Sequence, residues 1–115
     1  MKTNHLVALV WSIVFFTLAS GSPSLHATTL LNDKQRAIVV QLQADGVVKI
    51  DVKLSKVWID PIEWITVDAA GKQQLATLFA GYVWDANPDS KSIEIFDKQS
   101  AKRLARFGRM GFQAD

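Results

Sequence analysis

The carboxylates are the residues of this chain best suited to catalysis, because the usual nucleophiles and metal ligands are scarce. There is no cysteine, and both histidines, His5 and His26, lie near the amino terminus. Asp60 and Glu63 lie three positions apart, and Asp97 follows later. Carboxylates can divide general-acid and general-base roles when their surroundings separate their pKa values, which gives a carboxylate-based hydrolase as one interpretation. The other is that Asp60 and Asp97 are cap and turn residues.

The amino-terminal segment has the pattern of a secretory signal peptide. Lys2 precedes an apolar run from Leu6 to Leu18, and small residues follow at two candidate cleavage positions, after Gly21 or after Ala27. The apolar run is shorter than the roughly 20 residues that a membrane-spanning helix needs. We therefore expect a cleaved signal peptide, a periplasmic or secreted protein, and no stable membrane span after cleavage.

Cleavage after Ala27 would remove residues 1–27 and leave residues 28–115 as one small domain without histidine or cysteine. Such a domain has no Ser–His–Asp or Cys–His site and no zinc site built on imidazole and thiolate. Its glycines form neither a Walker-type nor a dinucleotide-binding pattern. We expect no cofactor and no metal.

Charge is nearly balanced in the predicted mature chain. Lys2 is the only charged residue before position 28, so 12 of the 13 Lys and Arg residues remain there, against 11 Asp and Glu. Bulk binding to nucleic acid depends on many phosphate contacts from a basic face. We therefore do not expect nucleic acid to be the partner.

Two helices are predicted from their terminal signals. Asn32 and Gln35 have the spacing of a capping box, and Gly46 stands where a left-handed C-terminal cap is expected, which predicts a helix over residues 33–45. Asp68 is the predicted N-cap of the second helix, and Asn87-Pro88 ends it. The second helix has the clearest amphipathic pattern of the chain, formed by Leu75, Leu78, Phe79, Tyr82 and Val83.

Two β-hairpins are predicted from alternating apolar and polar residues. The first runs over residues 47–59 with its reversal at Ser55-Lys56, and the second pairs residues 92–96 with 104–107 around a turn at 97–102. Pro61 favours a single helical turn after the first hairpin. The order α-ββ-α-ββ predicts an α+β fold, with a four-stranded, mostly antiparallel sheet and two helices on one face.

The outward face of this sheet is the predicted binding surface. Side chains alternate along a strand, so Trp58 and Phe96 face away from the helices if their neighbours face inward. Aromatic residues edged by cations are typical of partner-binding surfaces. The alternative is that a small domain spreads apolar residues over both sheet faces, or that the carboxyl-terminal tail covers them. The candidate binding residues are Trp58, Phe96, Leu104, Lys102, Arg106 and Trp84, the last as a lid over the sheet edge or a second contact site.

Three segments resemble a group of small uncharacterised bacterial exported proteins. They are residues 57–64, with the sequence Val-Trp-Ile-Asp-Pro-Ile-Glu-Trp, the helix 72–82 and the stretch 97–105. That group has a valine-rich strand, Asp-Pro and Trp, a lysine-bearing helix, and a final hairpin with Ser-Gly-Lys and Leu-Ala. Ala101 stands where the group has glycine. The resemblance covers about residues 31 to 112 and implies no activity and no functional residues.

These patterns favour a non-enzymatic binding or accessory module over the hydrolase. The expected partner is a protein or another component of the cell envelope. A self-associating structural domain, such as a homodimer, is the third interpretation.

Overall fold

The computed structural model describes residues 30–115, so the predicted signal peptide at 1–27 lies outside the described residues. Within residues 30–115 no helix is long and apolar enough to cross a membrane. The described chain has three helices and five strands, in the order α1 (Asp33–Ala44), β1 (Val48–Asp51), β2 (Lys56–Ile59), α2 (Pro61–Ile65), α3 (Ala69–Ala86), β3 (Ser92–Asp97), β4 (Arg103–Gly108) and β5 (Gly111–Ala114).

Helix α1 begins and ends at the predicted signals. The Asn32 side chain accepts a hydrogen bond from the Gln35 N–H (2.8 Å), and the Gln35 side chain accepts one from the Asn32 N–H (3.0 Å). Asp45 is the C-cap, and Gly46 follows with a φ of 77°. A positive φ has little steric cost for glycine, and this conformation turns the chain sharply into β1.

Helices α2 and α3 are capped by aspartates. Asp60 accepts from the Ile62 N–H (2.9 Å), with Pro61 at the first helical position, and Asp68 accepts from the Gly71 N–H (2.8 Å). Side-chain oxygens at an N-cap satisfy backbone donors that have no partner within the helix. The predicted helical turn after Pro61 and the predicted N-cap Asp68 are both confirmed.

The strands form one mixed sheet in the order β1-β2-β3-β4-β5. Both predicted hairpins are present as antiparallel pairs, β1 with β2 and β3 with β4. The first reverses at residues 52–55 and not at Ser55-Lys56, because Lys56 already pairs with Asp51. Strands β2 and β3 pair in parallel, because α2 and α3 return the chain to the edge at which β2 began. The α+β class is confirmed, with three helices instead of two and five strands instead of four.

The fifth strand is the part of the sheet that the sequence pattern did not predict. The carboxyl-terminal tail turns at residues 109–110 and pairs with β4, with Phe112 opposite Phe107. Gly111 has a φ of 85°, a backbone conformation that residues other than glycine rarely adopt. The Phe112 ring lies 6.4 Å from that of Trp64 in α2, so the tail joins the helix-covered face of the sheet.

The hydrophobic core lies between the helices and one face of the sheet. Helix α3 contacts β3 and β4, and α1 contacts α3 and β1. The largest fully buried side chains are Phe79, Leu42, Ile59, Leu75, Ile93, Ile95, Val39, Val57 and Val83. Since Val57, Ile59, Ile93 and Ile95 all point into this core, the residues between them must face the opposite side of the sheet.

Candidate functional site on the outer sheet face

Trp58 and Phe96 lie side by side on the sheet face turned away from the helices, which we call the outer sheet face. They are Cα partners in the parallel β2–β3 pair, and their ring centroids are 6.0 Å apart with planes inclined by 27°. Both rings are half-buried. Offset stacking at this distance is a favourable arrangement of aromatic rings. The outward placement of Trp58 and Phe96 is therefore confirmed.

Two lysines lie over these rings. The Lys49 ammonium is 5.6 Å from the Trp58 ring centroid, and the Lys56 ammonium is 5.5 Å from that of Phe96. A cation within about 6 Å of an aromatic ring is attracted by the negative face of the ring. The aliphatic stems of lysines also cover apolar surface while the charge stays in water. The aromatic pair is thus bordered by positive charge.

A β-bulge determines which residue of β4 lies beside Phe96. Ile95 pairs with Ala105, but Phe96 pairs with Arg103, so Leu104 is an extra residue in β4. Leu104 is half-buried and packs against the hydrophobic core, which differs from its predicted place on the outer sheet face. The sequence pattern could not show this, because a single inserted residue changes the alternation of side chains along the strand.

Arginines border the outer sheet face on the β4 side. Arg103 forms ion pairs with Glu94 (3.1 Å) and Asp115 (2.6 Å), and these carboxylates, Asp115 first, raise the pKa of the Arg103 guanidinium. Arg106 donates to the side-chain oxygen of Gln113 (2.8 Å). Arg103 is therefore neutralised locally. By contrast, Arg106, Lys49 and Lys56 form no ion pair with any of residues 30–115.

The other two predicted binding residues lie elsewhere. Lys102 is exposed in the turn before β4, where its backbone O accepts from the Asp97 N–H (2.8 Å). Trp84 belongs to α3, and its ring centroid lies 6.1 Å from that of Phe107 on the helix-covered face. Trp84 and Trp58 are thus on opposite sides of the sheet, and Trp84 cannot share a contact surface with the outer sheet face.

Two of the three carboxylates considered for hydrolysis have structural roles. Asp60 caps α2, and Asp97 accepts from the backbone N–H groups of Gln99 (2.7 Å) and Ser100 (3.1 Å) in the β3–β4 turn. Glu63 is buried, with 2% of its surface exposed. The predicted cap and turn roles of Asp60 and Asp97 are confirmed.

Asp97 is expected to make stability depend on pH. Hydrogen bonds from the backbone N–H groups of Ser100 and Gln99 lower its pKa in the folded protein. A lowered folded-state pKa stabilises the fold above the ordinary pKa of about 4, and this stabilisation is lost as the pH falls from that value through the lowered one. Thermal unfolding from pH 7 to pH 2 should show a smaller loss of stability in Asp97→Asn than in the wild type. Ser100→Ala retains the backbone N–H group and should keep most of the wild-type dependence of stability on pH. The same dependence in wild type and Asp97→Asn would contradict this role of Asp97.

Sequence reasoning missed Lys49, Lys56 and Arg103 as components of the site. A signal was present for Lys49, since it is a polar residue of an alternating strand and its side chain had to face outward. The pairing of Lys49 with Trp58 and of Arg103 with Phe96 depends on the register within each hairpin, which the length and type of the turn determine.

Comparisons of the chain with protein-family models, with curated protein sequences and with solved structures found no match. The resemblance to small exported bacterial proteins stays a prediction. The function is therefore inferred from the geometry of the site.

Proposed function

We propose that this protein is an exported, non-enzymatic binding module that recognises a partner protein through the outer sheet face. The observation that supports this most is the stacked pair of Trp58 and Phe96, bordered by Lys49 and Lys56. Four of the six predicted binding residues do not lie in this pair, and the proposal rests on the pair itself together with its neighbouring cations.

Partner binding explains the aromatic rings on the outer sheet face better than the needs of folding do. The inner rows of the sheet already bury Val57, Ile59, Ile93 and Ile95, so the core does not require large aromatic rings on the opposite face. Aromatic residues and arginine are enriched in interfaces and supply most of their binding energy. Half-buried rings in a rigid sheet are also fixed before the partner arrives, which lowers the entropy cost of association.

The charges around the rings indicate the chemistry of the partner. Lys49, Lys56 and Arg106 are cations without an ion pair among the described residues, and Arg103 has its two carboxylates. A partner segment that places an apolar side chain on the rings and carboxylates at its margin would complement this surface. The small number of cations and the near balance of charge favour an acidic polypeptide over a polyanion such as nucleic acid.

Self-association through the same face is less favourable. A symmetric dimer places the same patch of both subunits against itself. The patch that carries Lys49, Lys56 and Arg106 would then face a second patch with the same excess of positive charge, which opposes association. Sedimentation or size-exclusion chromatography at several concentrations tests this alternative.

The proposal is tested by capture of partners from envelope extract with the immobilised protein. Trp58→Ala and Arg106→Glu should each weaken capture of a specific partner at least about tenfold, since central aromatic and arginine residues commonly contribute more than 1.4 kcal/mol to binding. Ile65→Ala and Lys34→Glu are matched controls, because both residues are exposed on helices, which cover the other face of the sheet. All four variants should remain folded and unfold in one cooperative transition, with a lower midpoint for Trp58→Ala because it loses the stacking with Phe96. Equal capture by Trp58→Ala, Arg106→Glu and the wild type would show that the outer sheet face is not the binding surface.

A further inference from the structure

An apolar cavity lies on the other side of the molecule, between the segment before α1, helix α3 and strand β4. Its volume is about 330 Å³, which is near the lower end of the roughly 300–1,000 Å³ found for small-molecule sites. The apolar residues that line it are Leu30, Leu31, Leu78, Gly81, Trp84 and Phe107. A site of this size and lining fits a short hydrocarbon chain.

The wall formed by the segment before α1 is held in place by two features. The backbone N–H groups of Leu30 and Leu31 donate to the carboxylate of Asp85 in α3. Leu31 also packs directly on Gly81, where a Cβ would lie 2.6 Å from Leu31 Cδ2. A glycine inside a helix costs about 1 kcal/mol relative to alanine, and the close approach of Leu31 explains its presence here. The cavity is therefore a defined part of the fold.

Trp84 forms part of the wall of this cavity. Its indole Nε1 is buried and has no hydrogen-bond partner among the described residues. A buried indole N–H usually has an acceptor, because leaving it unsatisfied costs free energy. A ligand in the cavity would contact the ring of Trp84 and not this enclosed N–H.

A second depression of about 570 Å³ adjoins the cavity and shares Leu30 and Trp84 with it. Lys91 and Arg109 line this depression and are exposed. Asp85 also lies there, but it already accepts from Arg36 at 3.0 Å. Within residues 30–115 the ion pairs found do not include Lys91 or Arg109. The two depressions together thus offer an apolar compartment beside a cationic one, with Trp84 between them.

We propose that this pair of depressions binds a small anionic amphiphile of the fatty-acid class. The acyl chain would occupy the apolar cavity, and the carboxylate would lie near Lys91 and Arg109. The apolar cavity lies on the opposite side of the sheet from Trp58 and Phe96, and this proposal does not depend on the function proposed for those rings.

Calorimetric titration of the purified protein with monomeric decanoate tests the proposal. We expect saturable binding with one site per chain, and binding at least about tenfold weaker in Lys91→Ala/Arg109→Ala, because a charged hydrogen bond contributes enough free energy for that factor. Lys53→Ala/Lys102→Ala removes the same charge outside both depressions and should bind as the wild type does. Thr77→Trp should abolish binding by filling the cavity, whereas Gln73→Trp, one turn earlier on α3, should not.

Three results would overturn the proposal. They are no saturable binding of decanoate, binding that Thr77→Trp leaves unchanged, and equal affinity for decanoate and uncharged decanol in the wild type. Vesicles of phosphatidylglycerol distinguish a free acid from a membrane surface as the source of the anionic group. The protein should bind decanoate without sedimenting with the vesicles, and sedimentation without decanoate binding would contradict the proposal.

Discussion

Phe79→Ala should lower the free energy of unfolding by about 3–5 kcal/mol, as observed for large-to-small changes in well-packed cores. Phe79 is fully buried in α3, the helix that packs on β3 and β4. Its removal takes apolar surface out of the contact between helix and sheet and leaves a cavity that the neighbouring side chains only partly fill. The loss would be a large fraction of the roughly 5–15 kcal/mol by which domains are stable.

Urea unfolding followed by circular dichroism measures the effect of Phe79→Ala. Ile65→Ala is the matched control, because Ile65 is a large apolar residue with 72% of its surface exposed in α2. Its unfolding free energy should stay within about 0.5 kcal/mol of the wild type. Similar losses in both variants would mean that the helix-to-sheet contact at Phe79 is not the centre of the core.

Asp85→Ala should lower the unfolding free energy by about 2–4 kcal/mol, since it leaves several donors unsatisfied at once. The Asp85 side chain is 5% exposed, pairs with Arg36 at 3.0 Å, and accepts from the N–H groups of Leu30 and Leu31. This expected loss of unfolding free energy is smaller than the loss on breaking a fully buried ion pair, because the Arg36 side chain is 36% exposed and partly solvated. Asp85→Asn keeps an acceptor oxygen and should cost less.

Thermal unfolding with hydrogen exchange at Leu31 checks this second prediction. Asp89→Ala is the control, because Asp89 is an exposed carboxylate four residues after Asp85, beyond the end of α3. We expect faster exchange at Leu31 in Asp85→Ala only, together with the lower unfolding temperature. If Asp85→Ala unfolds at the same temperature as Asp89→Ala, Asp85 does not attach the segment before α1 to α3.

The helices could be predicted from the sequence because their signals are local. Asn32, Gln35 and Gly46 define α1 through contacts within a few residues, and Asp68 does the same for α3. The parallel pairing of β2 with β3 could not be predicted in this way. It depends on how α2 and α3 return the chain across the sheet, which is a tertiary property. Strand β5 was missed because Gly111–Ala114 is short and has weak alternation.

The same distinction between local signals and tertiary properties applies to the candidate site. Trp58 and Phe96 could be assigned to the outer sheet face from alternation with buried neighbours. Leu104 could not be placed, because the bulge that displaces it is a local irregularity without a sequence signal. The contribution of Lys49 and Lys56 depends on register and on side-chain direction across neighbouring strands. The position of Trp84 in a helix could be predicted from the sequence. Its place in the wall of a cavity could not, because that cavity forms only when three parts of the chain pack together.

Site-specific photocrosslinking tests the outer sheet face most directly. A benzophenone side chain in place of Phe96, introduced in cells that produce the protein, should form a covalent adduct with a discrete partner protein. The same group in place of Val40, which is 51% exposed on α1, should form no such adduct. An adduct from position 40 and none from position 96 would contradict the account, because it would place the partner on the helical side of the molecule.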